Sequence, residues 1–354
     1  MRELALELTT RCDLACGHCL RRRPARDVDL PLRLLSRLLP QARTMGAETV
    51  ALTGGEPTLH PRFVAVVDLL VRSGLRYRIV TNGGAGFRRI LPAILAAGRR
   101  AALQRVVFSL DGPTAAVHDR LRGRGSFGSV MGSIAICRAR CVPFGVQVTL
   151  GARNRGHLDA VALLASHLGA DVIGLDHVQP TPDNVARGIA LPLGEWRGVE
   201  QDVARLAKTI KMPVAPCHGV FNPDPLATCA AMRGESLHVD AAGRMIFCCG
   251  LSWYPAASGG SRDGVVLADL SSVTLADGYR RLLARARRLA EWRLRRLLES
   301  RKEPSGFAAR FRGGPGGGEA RSAEQPPGAA DPRLGFPCLS CHRHFGHMEW
   351  TDAY

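Results

Sequence analysis

The sequence predicts an α/β protein whose sheet is parallel and built from repeated strand-and-helix units, with a smaller region appended. Three observations carry this: a leucine-alternating run and five short runs rich in β-branched residues, segments of helical period between them, and a change of character near residue 212. The first strand is expected over residues 3 to 9, where Leu4, Leu6 and Leu8 alternate with other side chains. A loop bearing three cysteines follows, and then a Leu-rich stretch from about residue 30 to 45 with helical period. The remaining strands are TVALT (49 to 53), YRIVT (77 to 81), RVVFSL (105 to 110), FGVQVTL (144 to 150) and DVIGLDHV (171 to 178). Strands that alternate with helices make a parallel βα architecture, either an open doubly wound sheet or a barrel, whole or partial. In both, ligands gather at the carboxyl ends of the strands, where the loops carrying Cys12 and Gly54 emerge.

Beyond residue 212 come short strands, turn residues and three cysteines, in DPLATCAAMRGESLHVDAAGRMIFCCG (224 to 250). A basic amphipathic helix is expected near residues 280 to 302, then a flexible Gly/Pro-rich segment at about 303 to 335. The chain closes on FPCLSCHRHFG, a CxxC beside two histidines. The expected domains are residues 1–212 and 213–354. The stretches 181 to 224 and 303 to 335 carry no functional signal.

At 354 residues and 46% apolar composition, the chain can bury a substantial core. The N-terminus, MRELALELTT, lacks the apolar core of a signal peptide, and no run of about 18 uncharged apolar residues occurs. A cytoplasmic, reducing location is therefore expected, with no membrane partner, and the eleven cysteines point to metal ligation instead of disulfides. The formal charge of +17 is mostly an Arg excess, much of it in residues 280 to 302, where a solvated helix face accounts for it. No recognition motif accompanies it, so nucleic acid is not an expected partner.

The segment CDLACGHC (12 to 19) holds Cys12, Cys16 and Cys19. Structural zinc wants four closed ligands, and the fourth is not local. A thioredoxin-like site uses one CxxC and leaves Cys12 unexplained. The third reading is an iron–sulfur cluster held by three thiolates, one iron being left open for a substrate or cofactor.

CxxxCxxC just after the first strand of a βα-repeat protein resembles the signature of the radical S-adenosylmethionine superfamily. The motifs that follow strengthen the resemblance. TGGEP (Thr53 to Pro57) follows the second strand, VTNGG (Val80 to Gly84) ends the third and FSLDGP (Phe108 to Pro113) ends the fourth. Each alone is an ordinary turn sequence, but they occur in order at the ends of successive strands. The resemblance implies a partial (β/α)6 TIM-like barrel with a small C-terminal α+β auxiliary-cluster domain. It further implies that Cys12, Cys16 and Cys19 hold a [4Fe–4S] cluster whose open iron chelates S-adenosylmethionine, which is cleaved to a 5′-deoxyadenosyl radical. Gly54, Gly55, Glu56 and Pro57 would hold the methionine amino group, with Asn82 nearby, and Ser109 and Asp111 would reach the ribose. Glycines let a backbone approach a ligand closely, and a carboxylate suits an ammonium. Before the third cysteine the family often has an aromatic residue; here His18 stands there, with an imidazole able to lie against adenine.

The spacing of Cys229, Gly243 and Cys248 resembles the auxiliary domains of the same superfamily. The full form, SPASM, carries seven cysteines; this chain resembles the shortened twitch form, with Cys229, Cys248, Cys338 and Cys341 around one auxiliary [4Fe–4S] cluster. The same four thiols suit zinc as well. Cys249 has three readings: the ligand in place of Cys248, a small buried hydrophobe, or a thiol facing the active site. The last resembles the hydrogen-atom donor of radical peptide epimerases. Cys137 and Cys141, four apart, are expected on one helix as core packing, with Cys217 a filler or second donor. His342, His344 and His347 would shield the auxiliary cluster or form a surface group.

The expected reaction is hydrogen abstraction from a ribosomally made peptide, ending in epimerisation, oxidation or crosslinking, with a flavodoxin- or ferredoxin-type electron donor. With the cluster motif beginning at residue 12, no leader-recognition domain is expected ahead of it. This keeps a small-molecule dehydrogenase, resembling those acting on aminocyclitols, as the alternative. An RNA-modifying radical enzyme is the third reading, drawn from the positive charge.

Overall fold

The computed structural model describes residues 1–20, 26–216, 226–253 and 264–302, with Cys338, Cys341, His344 and Phe345. Ten strands among them form one sheet: β1 (Glu3–Glu7), β2 (Thr49–Thr53), β3 (Arg76–Thr81), β4 (Leu103–Ser109), β5 (Phe144–Leu150), β6 (Ile173–His177), β7 (Val214–Pro216), β8 (Ser236–Val239), β9 (Arg244–Ile246) and β10 (Val266–Asp269). Their order is β10-β9-β8-β1-β2-β3-β4-β5-β6-β7. From β8 to β7 every pairing is parallel, and β9 and β10 add antiparallel. The fold is α/β with a predominantly parallel sheet.

The helices are α1 (Leu32–Thr44), α2 (Phe63–Arg72), α3 (Ala85–Ile94), α4 (Ala97–Ala102), α5 (Ala115–Arg122), α6 (Ser126–Ala139), α7 (Leu158–Leu168), α8 (Pro182–Ala186), α9 (Trp196–Thr209), α10 (Cys249–Ser252) and α11 (Leu275–Lys302). In α1 the apolar residues recur with helical period, so Leu34, Leu35, Leu38, Leu39 and Ala42 all face the core. They meet Leu4, Leu6 and Leu8 of the β1 region, Val50 and Leu52 of β2, and Tyr77 and Ile79 of β3, all fully buried.

Strand alternation sends a second set to the opposite, inner face. The register aligns Glu7 with Thr53, Ser109 with Gln147, and Thr149 with Asp176 across neighbouring strands. Thr53, Ser109, Gln147, Thr149 and Asp176 are only half-buried. The inner face is therefore polar, above all at the carboxyl ends of the strands.

Several expectations are corrected. The first strand stops at Glu7, because Thr9 leaves the ladder to bridge Asp29. Cys137 is buried on α6, but Cys141 lies beyond that helix, exposed, with a φ of 50°, so it does not pack in the core. Residues 181 to 216 hold α8, α9 and β7, and β7 extends the sheet from β6.

Candidate active site

The cysteine loop leaves β1 at the carboxyl edge of the sheet and is tied down from three sides. Thr53 O accepts the N–H of Leu8 at 2.8 Å, Thr9 O that of Gly55 at 2.7 Å, and Arg11 O that of Glu56 at 2.7 Å. A Cβ on Gly54, whose φ is 133°, would lie 2.6 Å from Thr9 O, and one on Gly55 would strike Arg11 O. These glycines thus let the TGGEP loop dock against the protein's own cysteine loop. From the third strand, Asn82 Nδ2 donates to Asp13 Oδ1 at 2.7 Å, and its N–H donates to Glu56 Oε2 at 2.8 Å. On the far side, Gly17 N–H reaches Leu121 O at 2.8 Å and Arg187 donates to Gly17 O at 3.1 Å.

Glu56 is buried at 1% exposure. Its Oε1 accepts from Thr58 N–H, Thr58 Oγ1 and Thr81 Oγ1 at 3.2, 2.6 and 2.8 Å, leaving Oε2, with one donor, as the less occupied oxygen. Burial raises its pKa despite these donors. Ser109, half-buried at the end of β4, makes no side-chain hydrogen bond among the described residues. Asp111 is fully buried; its oxygens accept from Arg122 Nε at 2.5 Å and Thr149 N–H at 2.8 Å. His18 packs beneath the loop with Nε2 3.8 Å from Asp111 and with a buried Nδ1 that has no partner. Desolvation pushes its imidazole down to about 4, against the opposing pull of Asp111.

Cys12 and Cys16 are half-buried and Cys19 is exposed. Among the described residues no three His, Cys, Asp or Glu side chains stand in the geometry of a single metal ion. Cys12 and Cys16 nevertheless each feel the charge of Cys19, and Cys16 that of Cys12. A cluster spaces its thiolates more widely than one ion does, so this donor set, with an orphaned imidazole nitrogen beside it, fits an iron–sulfur group. Burial pushes the Cys16 thiol up to about 12, so its ionisation calls for a bound cation.

The second cysteine set lies around β8 and β9, Cys229 preceding β8 and Cys248 following β9. Cys248 feels Cys341 and Cys229, and burial holds its thiol well above the usual range. Cys341 is buried and also feels Cys229. Phe345 anchors it: its N–H bonds Cys341 O, and its ring packs 5.2 Å from that of Phe247. Cys338 is half-buried. Cys249 begins α10 and is exposed, yet desolvation raises its thiol to about 12, reinforced by Asp176, Cys229 and Glu7. Asp176 and Glu7 belong to the inner face, and Cys248 and Cys249 both feel Cys229. His344 lies 5.4 Å from the ring of Trp292; Cys217, His342 and His347 lie outside the described residues.

Sequence reasoning missed Glu7, Asp176 and Arg122 here. Glu7 is buried, accepting from Trp253 Nε1 and pairing with His238 Nε2, both at 2.8 Å. Asp176 sits between the two cysteine regions, acting on His18 and on Cys249. Arg122 closes the floor. A carboxylate in an otherwise apolar alternation is the signal that would have found Glu7.

Residues 6–164 match the model of the radical SAM superfamily. The chain is 30% identical over 251 residues to the mycofactocin maturase MftC of Mycobacterium ulcerans, covering 69% of this chain and 64% of that protein. It is 31% identical over 186 residues to the AdoMet-dependent heme synthase of Methanosarcina barkeri, covering 51% of each. It thus spans less than two thirds of these relatives. Streptococcus suis SuiB, solved bound to its precursor peptide SuiA, shares the fold at a TM-score of 0.60 and 15% identity, over 78% of this chain and 64% of that one.

Proposed function

We propose that this chain, whose residues 6–164 match the radical SAM superfamily, abstracts hydrogen from a peptide in the reducing cytoplasm. The observation that carries the reading is the loop assembly at the sheet's carboxyl edge, where Cys12, Cys16 and Cys19 share one loop locked to Gly54–Glu56 by backbone hydrogen bonds. When bound there, a [4Fe–4S] cluster and S-adenosylmethionine supply a 5′-deoxyadenosyl radical, with the electron coming from a flavodoxin- or ferredoxin-type donor.

The chain's own residues position and enclose. Gly54 to Pro57 offer backbone to the methionine group, Glu56 through its less occupied Oε2. Ser109 presents its hydroxyl for the ribose, while Asp111 acts from below through Arg122 and Thr149. Asn82 holds the cysteine loop through Asp13. His18 lies beneath that loop, against Asp111. Cys229, Cys248, Cys338 and Cys341 would hold an auxiliary cluster, their thiols suiting the same metal chemistry. Cys249, which feels Asp176 and Glu7, would return a hydrogen atom to a substrate radical, an S–H bond being weak enough for the transfer.

The likeness to a mycofactocin maturase supports a peptide substrate. A small-molecule substrate is the second reading, favoured by the likeness to a heme synthase. The test is anaerobic incubation of reconstituted protein with S-adenosylmethionine and a reductant, together with peptides encoded beside it. Peptide-dependent 5′-deoxyadenosine and a mass or deuterium change in the peptide are expected, with loss of both on Cys12/Cys16/Cys19→Ala. Turnover that ignores every peptide but responds to a porphyrin precursor or aminocyclitol would replace this reading with the second.

A further inference from the structure

We propose that Arg122 sets the reduction potential of the cluster read into the cysteine loop, as a buried counter-cation that favours the reduced form. The inference rests on Cys12, Cys16 and Cys19 being that cluster's ligands. Arg122 ends α5 at 8% exposure. Its own carbonyl lies 3.9 Å from Cys16 Sγ, and the preceding carbonyl, Leu121 O, holds Gly17 N–H. The last turn of α5 therefore presses directly on the segment between Cys16 and Cys19. Its guanidinium is oriented by Asp111, which is itself clamped by Thr149 N–H.

The pair is not electrically neutral from the cluster's side. Arg122 is the member of the pair whose own residue meets Cys16 Sγ, whereas the Asp111 carboxylate is also turned to Thr149 N–H, so the cation is the end nearer the thiols. An arginine keeps its charge under all ordinary conditions. Taking one electron from an external donor makes the cluster more negative, with no bond formed or broken and no proton moved. A fixed positive charge in a poorly solvated site stabilises that added electron, and cluster potentials follow the charge and hydrogen bonds around the sulfurs. Arg122 is thus a positioning residue that acts through the cluster and touches no substrate.

The experiment is an EPR-monitored redox titration of anaerobically reconstituted full-length protein, reading the signal that changes when S-adenosylmethionine is added. Arg122→Gln is expected to lower the midpoint, reducing the reduced-to-oxidised ratio at the wild-type midpoint about tenfold, which is about 59 mV for one electron. Arg122→Lys, which keeps the charge, is expected to restore most of it. Asp111→Asn, which removes the opposing anion, is expected to move the midpoint the other way, and it keeps the inference testable if Arg122→Gln fails to fold. Equal potentials in wild type and Arg122→Gln at equal iron content, or shifts of the same sign in Arg122→Gln and Asp111→Asn, would overturn the inference alone. A wild type with no signal responsive to S-adenosylmethionine would overturn the cluster reading and the inference together.

Discussion

A single methyl group at Gly55 decides whether the two loops of the site can meet. Its Cβ would strike the Arg11 carbonyl, the acceptor of the next N–H. Gly55→Ala is expected to cost about 1–3 kcal/mol by overpacking and to cut 5′-deoxyadenosine formation about tenfold or more, measured by thermal unfolding and by product chromatography. A different signature belongs to Cys249. Cys249→Ala should leave S-adenosylmethionine cleavage intact while abolishing deuterium transfer from solvent into peptide, read by mass spectrometry; unchanged deuterium transfer would remove the thiol from the mechanism. Both residues stood out in the sequence, Gly55 in a local motif and Cys249 beside a spaced cysteine. Glu7 and His238 did not, because partners 231 residues apart leave no local pattern. The grouping of Cys341 with Cys248 and Cys229 was legible only through the family resemblance, and in the structure the Phe345 ring packs on Phe247 beside it.

Helix α5 carries three consecutive tasks on one short element. Arg122 faces the cysteine loop, while Asp119 accepts from Gly125 N–H, Phe127 N–H and Ser126 Oγ at 2.7, 2.8 and 3.0 Å, capping the start of α6 from outside it. Asp119→Ala is expected to cost about 1 kcal/mol, as lost N-caps do, measured by denaturant unfolding. Burial opposes the charge on Asp119, but these donors outweigh it and hold its pKa below the ordinary value. The cap's contribution is therefore present above the unfolded carboxylate range and disappears as pH falls through the lower folded value. His118, fully buried, accepts Asp111 N–H at Nδ1 and is driven to about 4, by burial first and then by Arg122. The folded state keeps it neutral while the unfolded chain protonates near pH 6.5, so stability is lost between about pH 6.5 and 4, by at most about 3 kcal/mol. Unfolding midpoints of His118→Asn, measured over that interval, should fall less steeply than those of wild type. Elements were otherwise well marked in the sequence. Helix α9 was overlooked although Trp196, Val199, Val203 and Leu206 are all buried at helical spacing, because Gly198 and the surrounding charges dilute the period.

Across the whole molecule, the first thiol set follows β1 and the second lies around β8 and β9, the strands that join the sheet beside β1. Anaerobic reconstitution should load about eight irons, falling to about four in Cys12/Cys16/Cys19→Ala. About four irons falling to none, with zinc retained, would make the second set a zinc site. The parallel sheet was legible from five β-branched runs and the leucine alternation of β1. The way β8 to β10 join it was not, since the pairing of Glu3 with Ser236 follows from tertiary packing alone.

That pairing also dictates an order of events on the ribosome. β1 is synthesised well before β8, so one of its two neighbours is completed only at Val239. Until then its edge offers unpaired N–H and C=O groups beside Leu4, Leu6 and Leu8, a template for any other extended chain. A nascent chain stalled before residue 236 therefore carries a self-association hazard that the finished protein has abolished, and such long-range closure makes folding slow.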